Sequence, residues 1–161
     1  MDEDKNENFF SFTLGTGMFA VPVKFVKEVF EFTSLTPVPN SLPYLRGVMN
    51  IRGSVVSILD LRKLFGFNPS DDLSQTSVID LEIPRENEKP FELSIIADSV
   101  DVVSGLYMIQ AGSASYGIPE EQSQFVRSVA RRGEQFILVL DLIKILRFVE
   151  SDVDKAEKAR A

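Results

Sequence analysis

Gly47-Val48-Met49-Asn50-Ile51-Arg52-Gly53 is the densest part of a run, Met18 to Phe67, whose reading decides the fold. It predicts strand, tight turn, strand, with Ile58-Leu59-Asp60-Leu61 passing straight into a short helix that ends at Gly66. Asn50 and Arg52 beside a hairpin turn contribute little to a core, and no catalytic group accompanies them. As turn formers they are well chosen, since Asn tolerates left-handed geometry and Arg reaches water. Arg is also enriched at binding hot spots, because its planar fork makes directional contacts. Taken alone, the turn supports both readings.

Working outward, Phe9 to Leu14 alternates Phe10, Phe12 and Leu14 with Ser11 and Thr13, the period-two pattern of a strand with one buried face. Gly15-Thr16-Gly17 turns it into a second strand, Met18–Val21, which Pro22 stops. Val23–Val29 reads as a short irregular or helical passage, Phe30–Leu35 as a strand closed by Pro37, Pro39 and Pro43, and Leu42–Leu45 as one helical turn. Beyond the loop Asn68–Asp72, Ser77–Ile83 and Phe91–Ala97 are strands joined by a charged Pro84–Pro90 connector. Val100–Met108 is a strand interrupted at Ser104-Gly105, and residues 110–123 read as loop. Phe125–Val129 and Phe136–Leu140 are the last strands, and Asp141 begins a closing helix. Residues 1–8 are acidic and expected to be disordered, residues 9–149 form the domain, and residues 150–161 are a charged C-terminal tail. Many short strands with frequent turns predict small β-barrels.

An internal echo predicts two lobes. Arg52-Gly53 precedes Val55-Val56-Ser57-Ile58-Leu59-Asp60-Leu61-Arg62-Lys63-Leu64, and Arg132-Gly133 precedes Phe136-Ile137-Leu138-Val139-Leu140-Asp141-Leu142-Ile143-Lys144-Ile145. In both, an Asp stands where its carboxylate can cap the following helix, so Asp60→Ala should cost about 0.5–2 kcal/mol. Arg62 and Lys63 read as helix-surface charges.

Composition removes whole classes of function. The net charge of −7 and the lack of a concentrated basic surface argue against nucleic-acid binding. With no cysteine, there is no disulfide, thiol catalysis or zinc-thiolate site. With no histidine, the commonest general base, the usual transition-metal ligand and a phosphorylatable imidazole are all missing. No metal or other cofactor is expected. No apolar run approaches the roughly 20 residues that span a bilayer, so a cytoplasmic protein is expected. The thirteen Phe are assigned to the core first.

Asp98 and Asp101, three apart, could suggest a carboxylate pair for hydrolysis, but nothing near them in sequence orients or activates them; turn and strand-edge roles are the better reading. Asp71-Asp72 lacks the spacing of a calcium loop, and Gly15-x-Gly17 lacks the third Gly and the helix of a phosphate cradle.

From Phe9 to Phe148 the chain resembles the CheW family, the coupling proteins of bacterial chemotaxis. The resemblance rests on Phe19-Ala20-Val21-Pro22-Val23, Val26-Lys27-Glu28-Val29, the Pro37–Pro43 passage, and Gly47–Arg62 with Phe65-Gly66. It continues through Ala97-Asp98-Ser99-Val100-Asp101-Val102-Val103 and Ile137–Leu142. It departs at Ile51, where Leu is usual, and at Ser57, where Pro is common. It implies a mainly β fold of two intertwined five-stranded SH3-like barrels with short helices, including one at the C-terminus. It implies a non-catalytic adaptor between the helical tips of chemoreceptors and the regulatory domain of the histidine kinase CheA, reaching membrane arrays only through these partners. Carried over by motif, the receptor contacts are Val26, Glu28, Asn50, Arg52 and Gly53, in a groove between the lobes. Leu42, Pro43 and Tyr44 are the nominated kinase contacts. The alternatives are a CheW-like adaptor of a pathway controlling pili or development, and a Phe-lined barrel that binds a small molecule or peptide.

Overall fold

The structure, a computed structural model, describes residues 8–38, 42–66, 73–104, 106–109 and 120–160. Eleven strands fill most of this: β1 (Asn8–Leu14), β2 (Gly17–Pro22), β3 (Val26–Glu31), β4 (Leu45–Ile51), β5 (Ser54–Leu59), β6 (Ser77–Arg85), β7 (Glu88–Ala97), β8 (Ser99–Ser104), β9 (Tyr107–Ile109), β10 (Val126–Arg132) and β11 (Gln135–Leu140). Two α-helices follow the Leu-Asp-Leu corners, α1 (Leu61–Leu64) and α2 (Leu142–Arg160), and short 3-10 turns cover Val23–Phe25 and Glu120–Phe125.

The strands form a six-stranded sheet, β8-β1-β2-β11-β10-β9, and a five-stranded sheet, β3-β6-β7-β5-β4. The chain starts in the first, builds the whole of the second, and returns to finish the first, so the two lobes are intertwined as expected. Each sheet has one parallel seam: β11 beside β2, with Leu138 opposite Phe19, and β5 beside β7, with Ile58 opposite Ser94. In both, the seam strand is the second arm of an Arg-Gly hairpin, so the sequence echo is a real structural repeat. The sixth strand also has a counterpart. Where β9 lies outside β10, the five-stranded sheet has, among the described residues, the single bridge of Thr36 to Val48 outside β4, with both amide bonds at 2.9 Å. Gly47, at φ 150, permits that approach, because a Cβ there would stand 2.4 Å from the Thr36 carbonyl oxygen.

Phe9, Phe10, Phe12, Phe19, Phe65, Phe91 and Phe125 are buried in the core, whereas Phe136 and Phe148 are half-exposed. Phe12, Phe19, Phe65, Phe125 and Phe148 run in contact from the six-stranded sheet past α1 to α2, with successive centroids 5.1 to 6.3 Å apart. Full burial of a ring such as Phe12, Phe19 or Phe65 is worth roughly 1.5–3 kcal/mol.

Several boundaries differ from expectation. β3 begins at Val26, inside the passage read as irregular, and ends at Glu31 rather than Leu35, because its partner β6 begins opposite it at Ser77. The supposed Pro84–Pro90 connector is mostly strand: only Glu86-Asn87 turn, and Pro84 falls at a register shift between Ile83 and Arg85, where a missing amide is tolerated. The charged run after Glu150 continues α2 to Arg160, with Val149 and Val153 fully buried and Glu150 3.6 Å from Arg85. Residues 1–7, the Asn68–Asp72 loop and residues 110–119 lie outside the described residues; Asn8 already belongs to β1. Among the described residues, no helix is long and apolar enough to cross a membrane.

Candidate functional site

Ile51 pairs with Ser54, leaving Arg52-Gly53 as a two-residue loop between β4 and β5. Both loop residues have positive φ, 54° and 86°, the pattern of a type I′ turn that matches the twist of the flanking strands. The left-handed position thus falls on Arg52 rather than on Asn50. Asn50 instead accepts the Gly53 amide on Oδ1 at 2.9 Å and locks the turn. Left-handed geometry costs a side-chain-bearing residue about 1–2 kcal/mol, so Arg52 is a strained choice where Gly would be free.

The Arg52 side chain is 78% exposed, yet its guanidinium is fixed: Nη2 lies 2.8 Å from Glu28 Oε2 on β3. Glu28 and Arg52 belong to the two edge strands of the five-stranded sheet, β3 and the end of β4, and their side chains meet although the strands themselves do not pair. Val26, half-buried, packs against the core two residues before Glu28. All five nominated receptor residues are therefore on this one lobe, on β3, the end of β4 and the β4–β5 turn. Lys27, between Val26 and Glu28, lies 3.4 Å from Glu92 and 3.7 Å from Glu82, and the nearby Glu92 charge raises its pKa.

The second nominated group lies at the other end of β4. Leu42 and Pro43 are exposed, while the Leu45 amide closes one turn onto the Leu42 carbonyl at 2.9 Å. Tyr44 is buried; its ring tilts against Phe148 at 5.9 Å and its carbonyl accepts the Asp60 amide at 2.7 Å. It anchors the segment that presents Leu42, Pro43 and the half-exposed Phe148. Five strand residues, Leu45–Met49, lie between Tyr44 and Asn50, a span of about 20 Å at strand rise, enough for two partners at once.

The structure corrects the reading of Arg62, which is 4% exposed. Asp60 is a helix cap, accepting the Arg62 amide at 3.0 Å, but its carboxylate also holds Arg62 Nε at 3.0 Å, Arg62 Nη2 at 3.1 Å and Arg46 Nη1 at 2.8 Å. Sequence reasoning missed this network because Leu61-Arg62-Lys63-Leu64 looks like a helix with a polar face. Arg46 is the one extra residue where the β4–β5 register shifts, and nothing local announces that it reaches Asp60.

Asp98 and Asp101 have separate structural tasks. Asp98 Oδ2 accepts the Gly15 amide at 2.8 Å, and Asp101 lies 3.4 Å from Arg132. They serve as the turn and strand-edge residues expected. Among the described residues no cluster of three or more acidic side chains could hold a metal ion.

The model of the CheW-like domain matches residues 8–150 of this chain. Curated relatives include the probable chemotaxis protein CheW of Rhizobium etli, 27% identical over 146 residues and 88% of each chain. The chemotaxis protein CheW of Klebsiella aerogenes is 26% identical over 144 residues, 89% of this chain and 84% of that one. Among solved structures, the scaffolding protein TtCheW from Thermoanaerobacter tengcongensis shares the fold, with a TM-score of 0.70, 21% identity and 85% of both chains covered.

Proposed function

Because this chain belongs to the CheW-like domain family, we propose that it is a non-catalytic chemotaxis adaptor that couples the helical tip of chemoreceptors to the histidine kinase CheA. The observation that carries this reading is Arg52: strained in backbone, exposed in side chain, and aimed by Glu28. Stability does not account for it. An exposed ion pair is worth about 0–1 kcal/mol, no more than the left-handed backbone costs. A guanidinium already fixed in direction loses less freedom on binding, and an acidic or amide side chain on a receptor helix can share its remaining donors. Val26 supplies apolar contact, and Gly53, with nothing within 4 Å of where its Cβ would be, lets a helix approach the backbone. Charges of this kind set specificity and encounter rate more than affinity.

The kinase docks at the far end of β4, on Leu42, Pro43 and the segment that Tyr44 anchors. Each contact can be modest, since an ordered array supplies effective concentration. The chain reaches the membrane through its receptor.

Pull-down with a receptor tip fragment tests the reading. Arg52→Asp and Glu28→Lys should each lose binding while thermal unfolding stays near that of the unmodified chain. Retained binding by both would sink the site. Failure of the unmodified chain to raise CheA autophosphorylation in a mixture with receptor tip would sink the coupling role.

A further inference from the structure

Next to the Glu28–Arg52 pair lies a carboxyl group that the adaptor reading does not use. Asp80, in the middle of β6, is fully buried and stands opposite Glu28 on β3 and opposite Ser94 on β7. The Ser94 hydroxyl donates to Asp80 Oδ1 at 2.9 Å, but Oδ2 is buried with no hydrogen-bond partner. A buried carboxylate oxygen without a donor is costly, and the cost disappears if that oxygen itself carries a proton.

The surrounding charges favour that outcome. Glu92 on β7 is close enough to Asp80 to share a hydrogen bond, which two ionised carboxylates cannot do. Glu82, two residues along β6, is paired in register with Glu92. From β3, Lys27 ion-pairs with Glu82 and Glu92, and Glu28 is engaged by Arg52 of the β4–β5 turn. From the 3-10 turn packed on β6, Lys24 holds its ammonium over the Phe25 ring at 5.2 Å.

We propose that Asp80 is a proton-binding site, neutral in the resting fold with its acid hydrogen donated to Glu92, and that releasing this proton loosens β3 from β6. Ionised Asp80 would place three carboxylates, Asp80, Glu82 and Glu92, around the single ammonium of Lys27. β3 is an edge strand whose pairing already shifts register between Val26 and Glu28, so its detachment is the cheapest relief. Burial, then Glu92, push the Asp80 pKa up to about 7, against the pull of the Ser94 hydroxyl and Lys27. The acid form suits the fold, so the stabilising contribution is complete below the ordinary carboxylate range and is lost as pH rises through about 7. That β3 carries Glu28 makes receptor affinity pH-dependent only if the receptor site is where we place it; the proton site itself does not depend on that.

Carboxyl carbon NMR titration of the full chain is the test, with amide hydrogen exchange of β3 compared between variants at equal pH. One carboxyl should titrate near neutrality in the unmodified chain and be missing in Asp80→Asn. Glu92→Gln should move it down, and Ser94→Ala should move it up. At pH 8, β3 amides should exchange at least several-fold more slowly in Asp80→Asn than in the unmodified chain. All carboxyls titrating below pH 5.5, or a neutral titration that survives in Asp80→Asn, would overturn the proposal. Should Asp80→Asn not fold, opposite shifts in Glu92→Gln and Ser94→Ala support it and their absence refutes it. Loss of receptor pull-down between pH 6 and 8 is a separate reading: if it fails while the titration holds, the receptor site is misplaced and the proton site stands.

Discussion

The two Arg-Gly hairpins carry the same letters and do different work, because structure and sequence align them one residue apart. By sequence Arg52 matches Arg132. By strand register the closing pairs are Ile51–Ser54 and Arg132–Gln135, so Arg52 occupies the loop position that Gly133 fills in the other hairpin. Gly133 takes φ 63 at no steric cost and Glu134 follows without positive φ, the pattern of a type II′ turn, whereas Arg52 takes φ 54 with a side chain attached. The strand bases diverge in the same way. Each hairpin has one extra Arg where its register shifts, Arg46 and Arg127. Arg46 reaches the capping Asp60, while Arg127 lies over the Phe9 ring at 5.9 Å. Asp60 also gains Arg62, where the second copy has Ile143, and Asp141 only caps, accepting the Lys144 amide at 3.1 Å. A repeat fixes backbone geometry; single substitutions at matched positions then make one corner a buried ionic network and one turn a display site.

The largest predicted effect tests the corners against each other. Asp60→Ala leaves two guanidiniums, Arg46 and Arg62, without the carboxylate they share inside the protein, a loss of about 3–5 kcal/mol. Asp141→Ala removes a cap from the surface and should cost about 1 kcal/mol. Urea denaturation of the two variants reads the gap directly, and equal losses would mean that the Asp60 network adds nothing to capping. Next comes Gly47→Ala, at about 3 kcal/mol, since the new Cβ meets backbone at Thr36 and the residue keeps a positive φ. A loss below about 1 kcal/mol would show that the Thr36–Val48 bridge yields freely.

What was legible in the sequence was what is local. The strand at Phe9–Leu14, the turn at Gly53 and the caps at Asp60 and Asp141 depend on neighbours in the chain and are found where expected, although β1 is covered on both faces, with Phe9 and Ser11 buried as well as Phe12 and Leu14. β3 was misplaced because its ends are set by β6, more than forty residues away. Pro84 and Pro90 read as a connector because proline interrupts pairing, but a strand tolerates it where register shifts or a flank is unpaired. The extent of α2 could have been read: Leu142, Ile145, Leu146, Val149 and Val153 follow helical spacing, masked by the charges between them. The five receptor residues were named by motif, and the structure gathers them on one lobe; the Asp80 cluster, drawn from three strands, leaves no signature that spacing could show.

The smallest change in stability should carry the largest change in recognition. Arg52→Gly gives the first hairpin the residue that the second already uses at this position. It removes the left-handed strain, offset by the greater freedom glycine has in the unfolded chain, so stability should shift by less than about 1 kcal/mol, on the stabilising side. The ion pair to Glu28 goes with it, and an exposed pair subtracts little. If Arg52 is present only to form a turn, Arg52→Gly is an improvement in every assay. If it is held in a costly conformation so that a receptor helix meets a directed guanidinium, the variant unfolds at the same or a higher temperature and no longer captures the tip. Gly133→Arg is the mirror test, costing about 1–2 kcal/mol and leaving capture intact. A more stable Arg52→Gly that still binds the receptor tip would reduce the difference between the hairpins to turn chemistry.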